Sequence, residues 1–555
     1  MNIQEKSLTI QGPGDPGECV IDCENIGGGF YCNGGYFDNV DLLLSGVSLI
    51  GGTEGFATLF CLRTNLTLIR CAITDNQQVA IYGRDGDLVM DNCELSRNQM
   101  DYRHNGPLMW DGEQTAILSA CRIESNYGGE FGAGVLNADV VCMDNCSIAN
   151  NRPGYPQPYN SGMGVSGDAV LIADCRFEAN TDSAVYGALC IERGVYEIID
   201  TQFIANEAAY PSAALDVLEA VCTLTRCRFE SNRSRSGTAC NVMSSFFAAI
   251  DCDFGSNECR GCALLSDNSH IELVTCEYNG NSGGHYGGGM QCYGSIVDAV
   301  DCKFVGNSAE SYGGGVFAGD TAARFVNCLF AENSAGDFGG GYSQHGGDLE
   351  LYNSIVWNND APNGPQLAIH SSPSAPSHLW CSHNLLDGGE GEIWIDDGVG
   401  IDWGPGNLDL DPLFVDPAGG DFRLLPGSPC IDTGCNCGVP NDVLDVDEDG
   451  DVTEFQPLDL AGKGRFFDDP DSADAGSGLP PVVDIGPYEF GDTDAQPCRG
   501  DLDGDRTVSV ADLSILLANY NRPDTGGQGG DLNCDGIVNI DDLAALLGVY
   551  ENDCN

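Results

Sequence analysis

The residues whose types and spacing best fit a known chemistry lie near the end of the chain. Residues 501–512 read DLDGDRTVSVAD and residues 531–542 read DLNCDGIVNIDD, two twelve-residue loops offset by 30. Oxygen donors fall at loop positions 1, 3, 5 and 12: Asp501, Asp503, Asp505 and Asp512, then Asp531, Asn533, Asp535 and Asp542. Thr507 and Ile537 at position 7 offer backbone carbonyls, and Ser509 and Asn539 at position 9 complete an oxygen shell directly or through water. Carboxylates crowded into one loop repel each other unless a cation lies between them, so two Ca2+ ions are expected here. Each loop runs into a helical apolar stripe, Leu513, Leu516, Leu517 and Tyr520, repeated as Leu543, Leu546, Leu547 and Tyr550. A third acidic run holds Asp445, Asp447 and Asp449 at calcium-loop spacing, with Gln456 where a twelfth-position acid would stand. It reads equally as a third Ca2+ site and as a solvated acidic loop.

Catalytic chemistry is harder to place. A lyase needs an Arg or Lys base beside calcium-bound carboxylates, and a glycosidase needs two acids across the sugar bond; neither stands out among 84 acidic residues. Arg103, Arg176 and Arg228 are the first candidates for a lyase base. Tyr102, Arg103 and His104 with Trp110 and Asp111 form a candidate exposed cluster, against the alternative of an ordinary loop. Phe131, Tyr186, Tyr286, Tyr312 and Phe338 each precede a glycine at the same bend, which suits either a sugar-stacking row or buried packing, with packing favoured. The seven histidines are scattered singly and predict neither a triad nor a metal site.

These residues must be held by something, and the composition narrows what. Asp and Glu number 84 against 23 Lys and Arg, a net charge of −61 that repels phosphate backbones and anionic lipid. Nucleic acid is thereby excluded as a partner. At 42% hydrophobic and 19% charged the chain is too apolar for wholesale disorder. No apolar run is long enough for a membrane-spanning helix. The first residues lack the apolar core of a signal peptide, and the chain opens almost directly in a strand-like run at residues 7–12, so the expectation is a start downstream of a leader not present in this sequence.

A periodic frame does the holding. Twelve times a small residue, usually Cys, is followed two later by an apolar residue and five later by Asn. The small-residue anchors run Cys71, Cys93, Cys121, Cys146, Cys175, Thr201, Cys227, Cys252, Cys276, Cys302, Cys328 and Ser354, spaced by 22 to 29 residues. In Val300-Asp301-Cys302-Lys303-Phe304 apolar and charged residues alternate, the pattern of a half-buried strand with Cys and Phe inward and Asp301 and Lys303 outward. The Asn just after each strand suits a bend with left-handed or bridge dihedrals, and its amide can bond to the Asn of the next coil. Triple glycines at 287–289, 313–315 and 339–341 enter a further strand. A leucine-rich repeat would need Leu-rich outer segments that are absent, so the period predicts a parallel β-helix, one coil per repeat. Stacked cysteines about 4.8 Å apart are too far for a relaxed disulfide, and most should be thiols.

FEAN at 177–180, FIAN at 203–206, FVGN at 304–307 and FAEN at 330–333, with GGGV at 313–316, resemble polymorphic outer membrane protein repeats, which belong to the pectin-lyase-like right-handed β-helices. The resemblance covers roughly residues 60–360 and implies an extracellular adhesive or carbohydrate-contacting surface. The segments around 407–416, 421–432 and 483–490 are similar to the closing segment of secreted β-helix proteins. Residues 393–397, IWIDD, faintly resemble a pectate-lyase signature, but with Asp397 where that pattern carries His, and are discounted. Residues 498–555 resemble a type I dockerin, which implies calcium-dependent folding and docking onto a cohesin-like receptor. Val510-Ala511 and Ile540-Asp541 stand where that family often places a Ser-Thr pair. The expected organisation is all-β: residues 1–370 a right-handed parallel β-helix, 371–495 its closing coils and cap, and 496–555 a small helical calcium-binding domain of dockerin or EF-hand type. The expected function is a secreted or cell-surface β-helix for adhesion or carbohydrate binding, with a polysaccharide lyase or hydrolase as the alternative.

Overall fold

Each repeat forms one coil of three short strands, because every inward position is apolar or small and every bend admits a left-handed residue. The structure is a computed structural model. It describes residues 2–4, 7–12, 19–23, 29–34, 39–53, 57–100, 106–112, 114–128, 132–153, 162–181, 187–372, 375–447 and 449–491, and in the tail 502, 509–520, 522, 530, 538–540, 543 and 546. The chain packs as two units: residues 1–271 with 278–295 and 307–310, and residues 272–277 and 296–306 with 311–555.

In the first unit three parallel sheets start from Asn2–Gln4, Leu8–Gln11 and Val20–Asp22. Register is in step from coil to coil: Leu189 faces Leu215, Val195 faces Val221 and Phe203 faces Phe229. The inward rings stack: Phe177, Phe203, Phe229, Phe254 and Tyr278 follow one another at 4.6–5.0 Å. The ladder asparagines are buried and bonded in series. Asn206 donates from its backbone N–H and its Nδ2 to Asn232 Oδ1 at 3.1 and 3.0 Å, and from Nδ2 to the Phe177 carbonyl at 2.9 Å. The same pattern runs from Asn76 to Asn257 and on through Asn281 to Asn307.

The ladder cysteines are thiols. The Cys175 sulfur accepts the Cys146 N–H at 3.4 Å, and the Thr201 hydroxyl accepts the Cys175 N–H at 3.3 Å. Cys, Thr and Ser interchange in this column because each supplies a small side chain that accepts one N–H from the coil before.

The bends correct one expectation. The left-handed residue is not the Asn but its predecessor, of any type: Asp75, Arg97, Ser125, Asn150, Ala179, Ala205, Ser231, Ser256 and Glu332 all have φ between 50° and 59°. Asn is fixed by its side-chain bonds, whereas the strain falls on a residue whose side chain is free to vary. Left-handed geometry costs an L-residue about 1–2 kcal/mol, and glycine escapes it while losing about 0.5–1 kcal/mol of chain entropy. Ala205→Gly, at φ 51°, should therefore raise stability by about 0.5–1 kcal/mol. A denaturant midpoint below that of the parent would contradict it.

In the second unit the first sheet orders Val316–Gly319, Tyr342–His345, Leu367–His370 and Ile393–Ile395. The second orders Ile296–Val300, Ala322–Val326, Gly347–Tyr352, Ser377–Ser382 and Gly400–Trp403, and the third Lys303–Val305, Leu329–Ala331, Ile355–Trp357 and Leu385–Leu386. After the last coil an antiparallel hairpin, Phe414–Asp416 with Asp421–Leu424, and a run of turns fold back along the outer face of the third sheet. There Phe414, Phe422, Leu424, Cys430, Ile431 and Ile485 bury the outward Leu329, Ala331 and Ile355.

This cap corrects one consequence of the alternating pattern: Asp301 and Lys303 point out of the coil, but the cap covers them and neither faces solvent. Lys303 is 8% exposed, its ammonium 2.8 Å from Glu277. Asp301 is fully buried against Arg465, itself fully buried. The Arg465 guanidinium also donates to Glu489 Oε1 at 3.2 Å and to the Gly486 and Pro487 carbonyls at 3.1 Å. Burial pushes Asp301 up to about 7, with Arg465 opposing the rise. Burial and the neighbouring Asp484 hold Glu489 well above the usual carboxylate range.

In the tail the α-helix α1, Val510–Asn519, is the one α-helix among the described elements. Ser509 caps it: its Oγ accepts the Ala511 N–H while Asp512 accepts the Ser509 N–H at 2.7 Å. Leu502, Leu516, Val538 and Leu546 form its buried apolar cluster, joined by Leu513, Ile515, Tyr520 and Leu543. Leu517, placed in the stripe by the sequence pattern, is 52% exposed. Among the described residues no helix is long and apolar enough to cross a membrane.

Candidate functional site: an aromatic and histidine patch and an acidic cap loop

Outward residues at the end of successive first-sheet strands fall into one column, and in the second unit that column carries chemistry. His345 pairs in register with His370, and Asp396 follows one coil later. The two imidazoles lie 4.2 Å apart. The Asp396 carboxylate holds the patch together: Oδ2 is 3.1 Å from His370 Nδ1, and Oδ1 accepts from Trp394 Nε1 at 3.3 Å. Beside them Tyr312 and Phe338 stack at 5.6 Å with planes 3° apart, while Phe338 meets the His370 ring at 4.9 Å and Trp394 at 5.4 Å. Trp394 is 38% exposed and forms the open edge.

The sequence reading missed this group: it held the histidines to be scattered and discounted residues 393–397. Its signal was spacing, since 345, 370 and 396 are one coil apart, but the residue type repeats only once, in His345 and His370. The aromatic stripe is met in part: Tyr312 and Phe338 stack, Tyr286 packs edge-on to His285, and Phe131 and Tyr186 lie outside the described residues. The other cluster does not assemble as expected. Tyr102, Arg103 and His104 lie outside the described residues. Trp110 is buried, its Nε1 donating to the Gly86 carbonyl and its ring pressed on Gly83, where a Cβ would come within 1.9 Å of it. Arg176 is engaged by Glu178 at 2.8 Å and Gln202, and Glu178 raises its pKa further; Arg228 lies 3.2 Å from Glu230. Neither guanidinium is presented as a base.

What the histidine patch can do follows from which nitrogens are open. Nδ1 of His370 faces Asp396, and its Nε2 is buried and without a hydrogen-bond partner, as is Nε2 of His345. A substrate has no path to either nitrogen in this arrangement. Burial, and after it the charge on His370, lower His345 to about 4, against the pull of Asp396, so it is neutral at pH 7. A histidine whose folded pKa lies below its unfolded value of about 6.5 gives stability above that pH and loses it as pH falls toward 4. Melting temperatures between pH 6.5 and 4 should therefore fall less steeply in His345→Phe than in the parent. Parallel slopes would show that this imidazole stays solvated.

The acidic cap loop assembles differently from its spacing. Oxygens of Asp445, Asp447 and Asp449 lie within 4.8 Å of one another, but Asp447 also joins Asp442 and Glu454 in a second trio. Gln456, at the twelfth position, is buried. Burial and then neighbouring aspartates raise Glu454 to about 7. Burial likewise raises Asp442 to about 6, with the Val446 N–H opposing. Asp442 Oδ1 and Glu454 Oε1 are buried with no hydrogen-bond donor, so an all-oxygen set lacks its positive partner. Such a set fits a hard cation of the calcium type.

Of the tail ligands, Ser509, Asp512 and Asn539 are described. Asp512 is buried and ties the loop shut, accepting from the Leu502 N–H at 2.7 Å as well as from Ser509. Asp501, Asp503, Asp505, Thr507, Asp531, Asn533, Asp535, Ile537 and Asp542 lie outside the described residues.

Compared with known proteins, residues 57–209 match the family model described as the right handed beta helix region. No curated protein matches the chain. The parallel solenoid is a right-handed β-helix, a fold consistent with a carbohydrate-related or surface role.

Proposed function

We propose that the chain is an extracellular or cell-surface β-helix that binds polysaccharide through the patch around Trp394 and is tethered by a calcium-dependent, dockerin-like tail. The observation that carries the binding reading is the outward set of Tyr312, Phe338 and Trp394, rings whose faces and edges suit sugar stacking and whose geometry Asp396 and His370 hold rigid. Two Ca2+ ions in the tail, through Asp501 to Asp512 and Asp531 to Asp542, and a further ion at Asp445, Asp447 and Asp449 complete the reading. A cohesin-like receptor is the partner expected for the tail.

Co-sedimentation with a panel of insoluble polysaccharides, with and without calcium, tests it. At least one should retain the protein, and Trp394→Ala should weaken retention about tenfold, equivalent to about 1.4 kcal/mol, with an unchanged melting temperature. No retention on any member, or equal retention by Trp394→Ala, would end the proposal. The His370 and Asp396 pair favours a second reading, a polysaccharide lyase or hydrolase. The sealed Nε2 argues against it, and release of soluble sugar from the same panel decides between them.

A further inference from the structure

One acidic group in the cap belongs to neither calcium loop. Asp432, Asp468 and Asp474 bring carboxylate oxygens within 4.8 Å of one another. Asp468 and Asp474 stand at the surface, but Asp432 is 0% exposed.

The contrast with its neighbour Asp484 is informative. Asp484 is equally buried, and its two oxygens accept the Asp432 and Phe490 N–H groups at 2.8 and 2.7 Å. Asp432 has the opposite arrangement. Its backbone is fully engaged, the N–H by Asp484 and the carbonyl by the N–H groups of Ala475 and Gly476 at 2.9 and 3.0 Å. Neither of its side-chain oxygens has a hydrogen-bond partner. Its backbone is also held in the left-handed region, at φ 52°. A buried carboxylate is normally surrounded by donors; this one is left with two other carboxylates. Burial, then Asp474 and Asp468, raise Asp432 to about 7.

We propose that Asp432, Asp468 and Asp474 form a second cation site in the cap, one that takes a hard divalent ion of the calcium class. Asp432 supplies the fixed buried ligand, the two surface aspartates close over the ion, and water fills the open side. Calcium suits this better than magnesium, because an irregular, half-open set of carboxylates meets its loose coordination but not an octahedron. The site shares no residue with the Asp442 to Glu454 loop. Its ion ties residues 468–474 to Asp432, whose N–H is held by Asp484, and so fastens a turn-rich stretch that has little regular secondary structure.

The test uses the full chain, stripped with EDTA and titrated with calcium chloride in a calorimeter, alongside melting curves with and without the ion. Asp468→Asn with Asp474→Asn is the informative double variant, since both side chains are at the surface and the buried Asp432 is left in place. It should bind one calcium fewer than the parent. Its melting temperature should be higher than the parent's in EDTA, where repulsion is relieved, and lower in calcium, where the ion is lost. Asp445→Asn with Asp449→Asn should remove a different ion, and the combined variant should remove both. Unchanged stoichiometry in the 468/474 variant, or a melting shift of the same sign and size in both conditions, overturns the proposal. If the 445/449 variant still loses its ion, the loop reading survives that failure.

Discussion

Arg465→Ala should release the cap from the coils and cost about 3–5 kcal/mol, the usual loss when one member of a buried ion pair is removed. The guanidinium is fully buried and donates to Asp301, Glu489 and two backbone carbonyls, so the substitution leaves carboxylates and carbonyls unpaired together. The loss should depend on pH in a defined direction. Asp301 is already raised to about 7 in the folded state, above its unfolded value of about 3.9. Its contribution is therefore full below the unfolded pKa and disappears as pH rises through the folded one. Without Arg465 the folded pKa rises further, so the deficit should be smaller at pH 5, where the carboxyls are protonated, than at pH 8. Limited proteolysis of residues 410–490 and denaturant midpoints at the two pH values read both effects. A variant whose cap resists protease like the parent at pH 8 would show that the apolar contacts of the hairpin hold it alone.

Phe304→Asp should abolish folded expression. The ring is fully buried, stacked on Phe330 at 5.0 Å and edge-on to Phe325 at 6.0 Å, and an ionised carboxylate there would have neither water nor a cation. Loss of the ring alone costs about 3–5 kcal/mol, and the unpaired charge adds several more. Lys303→Asp is the comparison, and the cap changes what it should show. On the alternating pattern alone it would be silent. With the ammonium buried against Glu277 it sets two carboxylates together, so an intermediate loss of stability is expected with folding retained. Soluble yield and thermal melts of the two variants separate these outcomes, and equal behaviour would refute the inward and outward assignment.

The coils were legible because they repeat. Asn at a fixed offset from a small residue, twelve times over and ten times from Cys, specifies both the strand face and the bond to the next coil, so the ladder needed no long-range information. The bend residue was misassigned because its left-handed geometry leaves no residue-type signature: Arg97, Ala179 and Glu332 do the same work. Where the cap lands, a trace was present and passed over. Outward positions in Leu329-Phe330-Ala331 and Ile355-Val356-Trp357 are apolar, whereas Arg176-Phe177-Glu178 and Arg228-Phe229-Glu230 flank the same inward column with charges. The Arg465 pair with Asp301 spans 164 residues, and no local pattern announces a contact of that kind. The histidine patch fell between the two cases: it follows the coil spacing, but only His345 and His370 repeat a residue type, and Trp394 and Asp396 occur once each.

The asparagine ladder also has a direction. Its Asn-to-Asn bonds run toward the C-terminus: Asn76 to Asn98, Asn98 to Asn126, and in the second unit Asn333 to Asn359. A rung's oxygen is filled from the preceding coil, as Gly52 N–H fills Asn76 and Asn333 fills Asn359. Asn359 ends its run by donating to Gln366 Oε1 at 2.9 Å, an acceptor on its own coil in place of a following rung. Each coil thus presents amide donors whose acceptor sits one coil further on, so the stack is polar: its two ends are chemically different, one offering an oxygen that the Gly52 N–H fills and the other a donor that Gln366 closes.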